Sequence, residues 1–227
     1  RKKIMNFLNK KFNKLLEGDK KIVAGNYLSL LVLQGANYIL PLLTLPFLVR
    51  VLGAEKFGLV MFAQALATFL TVFVDFGFNL SGTREISLAR DEKQKLSKIF
   101  SAILIIKTAL IIVALLLLFA IVNLFTRFSV DADVYYLSFG VVVGQALFPV
   151  WFFQGIEKMK FVTLISILAK VIFTILVFVL IGQESDYMMV PIFNSLGFIV
   201  AGILGLILSL RHVSFKWPGF TLIKNLI

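Results

Sequence analysis

The chain has 227 residues, 59% of them hydrophobic and 15% charged, with 24 Phe, one His, no Cys and a formal net charge of +11. So apolar a composition exceeds what a soluble domain carries, and the absence of cysteine excludes disulfides, thiol nucleophiles and sulfur-ligated metals. The basic excess alone would fit nucleic acid, but its distribution along the chain points to a membrane surface instead.

Residues 1–21 hold eight Lys/Arg, and Ile4, Leu8, Phe12 and Leu15 recur at helical spacing among them. This is the pattern of a basic amphipathic interfacial segment. Six runs follow that are long enough to cross a hydrocarbon core, each near the ~20 residues a span needs. They are 22–49, 57–78, 99–125, 134–155, 161–181 and 188–210. The first is too long for a signal-peptide core and lacks a small-residue cleavage site. The sequence therefore predicts an all-α polytopic membrane protein whose six transmembrane helices form one lobe over 22–210.

The connections alternate in charge. Ser81 to Lys98 carries five Lys/Arg, and Lys158, Lys160, Arg211 and Lys216 continue that side. On the other side Arg50 and Lys56 accompany Glu55, Arg127 faces Asp131 and Asp133, and the only charged residues in 183–186 are acids. By the positive-inside rule both ends of the chain are expected in the cytoplasm. Residues 211–227 read as a cytoplasmic amphipathic linker, with Phe220, Ile223 and Ile227 at helical spacing, leading to a second lobe.

Polar residues within spans are costly in lipid and face protein or water. In the first span Asn26, Gln34, Asn37, Pro41 and Thr44 share a face. In the second, Gln64, Thr68, Thr71, Asp75 and Asn79 form a stripe at spacings of three and four. Thr163, Ser166, Lys170 and Thr174 repeat the pattern in the fifth, and Lys107 lies in the third. Hydroxyls and amides of this kind also serve as interhelical glue. Each lysine lies about 12 Å inside its span, so snorkelling to the interface is the competing reading for Lys107 and Lys170. Two cations and one acid describe a hydrated cavity that prefers an anion. The spacing leaves open whether Asp75 pairs with either lysine.

Gly140 and Gly144, and the small residues Gly197, Ala201, Gly205 and Ser209, are expected at close helix contacts. Pro41, Pro46, Pro149 and Pro191 are expected to kink their spans. Tyr135, Tyr136, Trp151 and Trp217 fit interfacial belts, and His212 reads as a surface residue. Paired carboxylates, a His/Asp/Glu cluster and a phosphate-cradling glycine loop are all missing from the sequence. The expectation is a non-enzyme with no cofactor and no metal.

Three stretches carry a resemblance: "LPLLTLPFLVRVLGAEKFG" (Leu40 to Gly58), "DFGFNLSGTREIS" (Asp75 to Ser87) and "FPVWFFQGIEKMK" (Phe148 to Lys160). In order and at these topological places, they resemble the bacterial O-antigen and repeat-unit flippases of the multidrug/oligosaccharidyl-lipid/polysaccharide exporter superfamily. The resemblance implies the N-terminal half of a two-lobed exporter in the bacterial inner membrane, with a cavity opening alternately to either side. Its cargo would be an undecaprenyl-pyrophosphate-linked oligosaccharide. Partners would be that substrate, membrane lipids and the glycan polymerase machinery, with no nucleic acid. Lys107, Lys170, Asn37, Gln64, Thr68 and Thr71 would then contact substrate. Arg50, Asp75, Arg84, Gln154 and Glu157 are the motif members carried over as gating or ion-pair residues. The rival reading is a cation-coupled drug or small-solute exporter of the same fold, with Asp75 as its ion site.

Overall fold

The computed structural model describes the backbone of residues 2–219 and the side chains of residues 24–219. The amphipathic face proposed for Ile4, Leu8, Phe12 and Leu15, and the spacing of Phe220, Ile223 and Ile227, lie outside the described side chains. Among the described residues the only regular elements are helices, which suits a bilayer because a helix satisfies each backbone N–H and C=O within its own segment.

Helix α1 runs from Lys2 to Asp75 but is broken at Gly53, whose φ of 70° and ψ of 168° are not helical. Only glycine occupies that conformation without strain, and the break divides α1 into the first and second spans. Helix α2 is Phe78–Leu88, α3 Lys93–Leu124, α4 Thr126–Ser129 and α5 Ala132–Leu147. Then come α6 Val150–Gly155, α7 Met159–Leu180, a 3₁₀ turn Glu184–Met188 and α8 Met189–Leu210. Asp186 fixes that turn by accepting the N–H groups of Gly182 and Gln183 at 3.0 and 3.1 Å.

Several boundaries differ from the sequence reading. The second span ends at Phe76 (φ 49°) and Gly77 (φ 82°), two consecutive left-handed residues, and a new helix starts at Phe78. Ser81 and Gly82 therefore belong to this new helix. The fourth span is cut at Phe148–Pro149 into α5 and α6, because Pro149 cannot donate into the helix ladder. Residues 213–219 carry no helix.

The first span and α7 run side by side in the same direction. Asn26 meets Glu157 and Met159, Ser29 meets Thr163, Asn37 meets Lys170, and Phe47 stacks against Phe178. Helices α5 and α8 also run parallel and pack more closely. A Cβ on Gly144 would collide with the backbone of Phe198 and Ile199, and one on Gly202 with the carbonyl of Gly144. Small residues make this approach possible, and dispersion over the contact stabilises it where lipid offers no hydrophobic drive.

Two clusters fill the bundle. One gathers Leu48, Leu52, Val60, Val134 and Val142 toward the Gly53 end. The other joins Phe78, Ile86, Phe100, Trp151, Phe152 and Phe153 at the opposite end. Trp151 is 1% exposed and stacks 5.5 Å from Phe100, so it is core, not belt. Gly82 packs closely here: a Cβ on it would press on Ile103 Cδ1 at 3.0 Å and on the indole ring at 3.3 Å. Tyr135 is likewise buried, against Phe62 and Phe128. Trp217, at 80% exposure, fits a belt.

Candidate functional site

A cavity of about 730 Å³ lies within the bundle, and each of the six spans contributes a polar group to its wall. The first gives Asn37 and Thr44, the third Lys107, the fourth Gln145, the fifth Ser166, Lys170 and Thr174, and the sixth Asn194. From the second span Gln64, Thr68, Thr71 and Asp75 all face it, followed by Asn79 on α2. The stripe forms because spacings of three and four keep one helical face, and that face turns away from lipid.

Thr68 and Thr71 donate their hydroxyl protons back to the carbonyls of Gln64 and Ala67, at 2.8 and 2.9 Å. Their oxygen lone pairs remain for the cavity. Thr174 departs from this habit: its buried hydroxyl has no protein partner among the described residues, although it lines the same space.

The two intramembrane lysines have different environments. Lys107 is 3% exposed, and its Nζ lies 2.9 Å from Asp75 Oδ1. Asn79 Nδ2 donates to the other carboxylate oxygen at 2.9 Å. The carboxylate therefore accepts one charged and one neutral donor, and the ammonium is neutralised inside the protein without snorkelling to the interface. Lys170 donates to Asn37 Oδ1, an uncharged amide oxygen, and among the described residues no carboxylate stands within 4.0 Å of it. Its positive charge is exposed to the cavity without an acid to cancel it.

The other motif residues lie outside this space. Gln154 accepts the Thr83 hydroxyl at 3.2 Å, tying α6 to α2. Glu157 pairs with Arg90 at 2.8 Å, while its carbonyl accepts from Asn26 at 3.2 Å. Arg50 and Arg84 are exposed, and among the described residues neither forms a salt bridge. Arg84 is thus not the partner of Asp75. Asn26 and Thr163, expected on polar faces, bind backbone at the helix ends instead.

Gln145 and Asn194 were not singled out from the sequence. Each is an amide in a mostly apolar span, which is itself a signal, but neither has a polar residue three or four positions away to mark a face. His212 is not a simple surface residue. Its Nε2 lies 2.7 Å from Lys158 Nζ and its Nδ1 3.1 Å from the Leu208 carbonyl. An ammonium only donates, so Nε2 accepts and Nδ1–H donates.

The chain is thus a multi-pass helical membrane protein whose spans each contribute a polar group to one otherwise largely apolar cavity. Residues 23–227 match the family model described as "Polysaccharide biosynthesis protein", and the chain belongs to that family. A relative from Escherichia coli (strain K12) is 39% identical over 194 residues, covering 86% of this chain and 46% of its own length. A second, from Shigella dysenteriae, is 34% identical over 187 residues, covering 82% of this chain and 47% of its own. Both carry the name "Putative O-antigen transporter". The chain thus spans about half the length of these curated relatives. No solved structure matches it significantly.

Proposed function

We propose that this chain forms one lobe of a flippase that carries undecaprenyl-pyrophosphate-linked oligosaccharide repeat units across the bacterial inner membrane by alternating access. The observation that carries the reading is the unequal state of the two lysines. Lys107 is neutralised by Asp75, whereas Lys170 presents its charge to the cavity on an amide tether. A diphosphate would displace nothing ionic to reach Lys170. It would have to compete with a carboxylate at 2.9 Å to reach Lys107.

Gln64, Gln145 and Asn194, with the Thr68, Thr71 and Thr174 hydroxyls, offer donors and acceptors of the kind a sugar's hydroxyls require. Nothing in this role needs bond making, so the protein acts without catalysis. The Asp75–Lys107 and Arg90–Glu157 pairs, with the Thr83–Gln154 contact, are the ties a gate would open and remake. The positive-inside rule orients the lobe with the end bearing Arg90, Lys158 and Arg211 toward the cytoplasm. The names carried by the relatives support the cargo class. A drug exporter selecting cations would need an acid free to meet them, and Asp75 is already engaged by Lys107 and Asn79.

The test is made in the full-length protein, at matched membrane levels, by measuring surface glycan. Lys170→Gln keeps a polar side chain but removes the charge, and should lower surface glycan at least about tenfold, the cost expected for a charge-assisted contact. Lys170→Arg should retain most of it. Unchanged surface glycan in Lys170→Gln would end the proposal.

A further inference from the structure

A second polar recess lies away from the cavity, between the first turns of α3 and the chain leaving α8. It has a volume of about 360 Å³, and the cations Lys93, Arg211 and Lys216 line it. No acid is among its lining residues, and among the described residues none of the three cations has a carboxylate within 4.0 Å.

The recess is built, not left over from loose packing. Its wall includes His212, whose ring is held on both nitrogens by Lys158 and the Leu208 carbonyl. Its other side is a non-helical strap pinned along α3. Ser214 N–H donates to Ser97 Oγ at 3.2 Å, and Lys216 N–H donates to Ser101 Oγ at 3.0 Å. Val213, Ser214 and Lys216 line the recess, and Phe215 and Trp217 do not. Ser214 and Lys216 therefore face the recess and α3, while Phe215 and Trp217 point outward, 55% and 80% exposed, with their rings 6.5 Å apart.

Exposed aromatic pairs of this kind settle at the boundary between headgroups and acyl chains. With the aromatic pair at that boundary, Lys216 on the strap would lie at headgroup depth, together with Lys93 and Arg211 across the recess. Leu210, half-exposed at the end of α8, gives the recess an apolar lip leading into the span. Converging cations at phosphate depth, beside an apolar lip, match an anionic phospholipid better than a diffusing anion, which would gain nothing from the aromatic and Leu210 surfaces.

We infer that Lys93, Arg211 and Lys216 form a binding site for the phosphate headgroup of an anionic phospholipid, with its acyl chains lying along Leu210. The site is independent of the cavity and of what the cavity carries. Lipid occupancy would brace the strap against α3 and so lock the end of the sixth span to the third.

The test uses purified full-length protein in neutral detergent, reading the thermal unfolding midpoint. Short-chain phosphatidylglycerol, short-chain phosphatidylcholine and inorganic phosphate are titrated separately. Phosphatidylglycerol alone should raise the midpoint. The variant Lys93→Gln/Arg211→Gln/Lys216→Gln should weaken its apparent affinity by at least about tenfold, since each basic residue near a lipid surface contributes appreciably. A control variant, Lys95→Gln/Lys98→Gln/Lys160→Gln, removes the same charge from exposed positions outside the recess at the same end of the bundle. It should shift the affinity by less than about threefold if the effect is local. Equal losses in the two variants, no response to phosphatidylglycerol, or equal protection by inorganic phosphate would each overturn the assignment. Should the triple variant fail to fold, Lys216→Gln, on the non-helical strap, carries the same comparison with the lipid and phosphate arms unchanged.

Discussion

Removing Asp75 should cost more stability than removing Lys107, although the two share one ion pair. At 2.9 Å, with an effective dielectric of about 20, their gross attraction is about 6 kcal/mol. Desolvation of each ion opposes this by several kcal/mol, so the pair measured against apolar replacements is nearly neutral. The single variants expose the asymmetry. Asp75→Asn strands an ammonium that is 3% exposed, which should cost about 3–5 kcal/mol. Lys107→Met strands a carboxylate whose side chain is 21% exposed and which still accepts from Asn79. Its cost should be about 1–3 kcal/mol, the range for a partly compensated polar group. The double variant Asp75→Asn/Lys107→Met should recover most of the loss. The measurement is unfolding of the full-length protein in mixed micelles titrated with sodium dodecyl sulfate, completing the cycle. A Lys107→Met cost equal to or above that of Asp75→Asn would refute the argument, as would single effects that add within about 0.5 kcal/mol.

Gly77→Ala should destabilise by about 1–2 kcal/mol through backbone strain, because a Cβ there meets no atom within 4 Å yet φ is 82°. The same unfolding titration checks it, and Gly77→Asn should cost less. At Glu157, where φ is 58°, two variants separate side chain from backbone. Glu157→Gln loses a half-exposed ion pair with Arg90 and should change stability by about 0–1 kcal/mol, whereas Glu157→Gly also relieves the left-handed strain and should be neutral or stabilising. Thr174→Val removes a buried hydroxyl that has no protein partner, so stability should hold or rise by about 1 kcal/mol. Surface glycan display should nevertheless fall if that hydroxyl serves the cargo.

The helical class, the six spans and the second-span stripe were legible because lipid enforces them: polar groups from Gln64 to Asn79 have only one face on which to lie. What the stripe met was not legible. Asp75 finds Lys107 on another helix, and that pairing depends on how α3 is rotated, which periodicity does not report. Helix breaks were hard to place for the same reason. Phe76 takes a left-handed conformation that its residue type does not advertise, and Gly82, which looks like a turn residue, is a helix position packed against Ile103 and Trp151. Trp151 and His212 were misplaced at the surface because both residue types are common there. Their burial and pairing depend on Phe100 and Lys158, contributed by distant segments.

The close packing of α5 on α8 also limits how this protein can change over generations. At Gly205 an added methyl would strike the Phe148 ring, a side chain that a second substitution could shrink. At Gly144 it would strike the main chain of Phe198 and Ile199, and at Gly202 the Gly144 carbonyl. No replacement of a neighbouring side chain removes a backbone atom. Loss of Gly205 is therefore open to rescue by Phe148→Leu, and loss of Gly144 is not open to rescue from Phe198. One helix contact thus contains both a position that can drift together with its partner and a position closed to compensation.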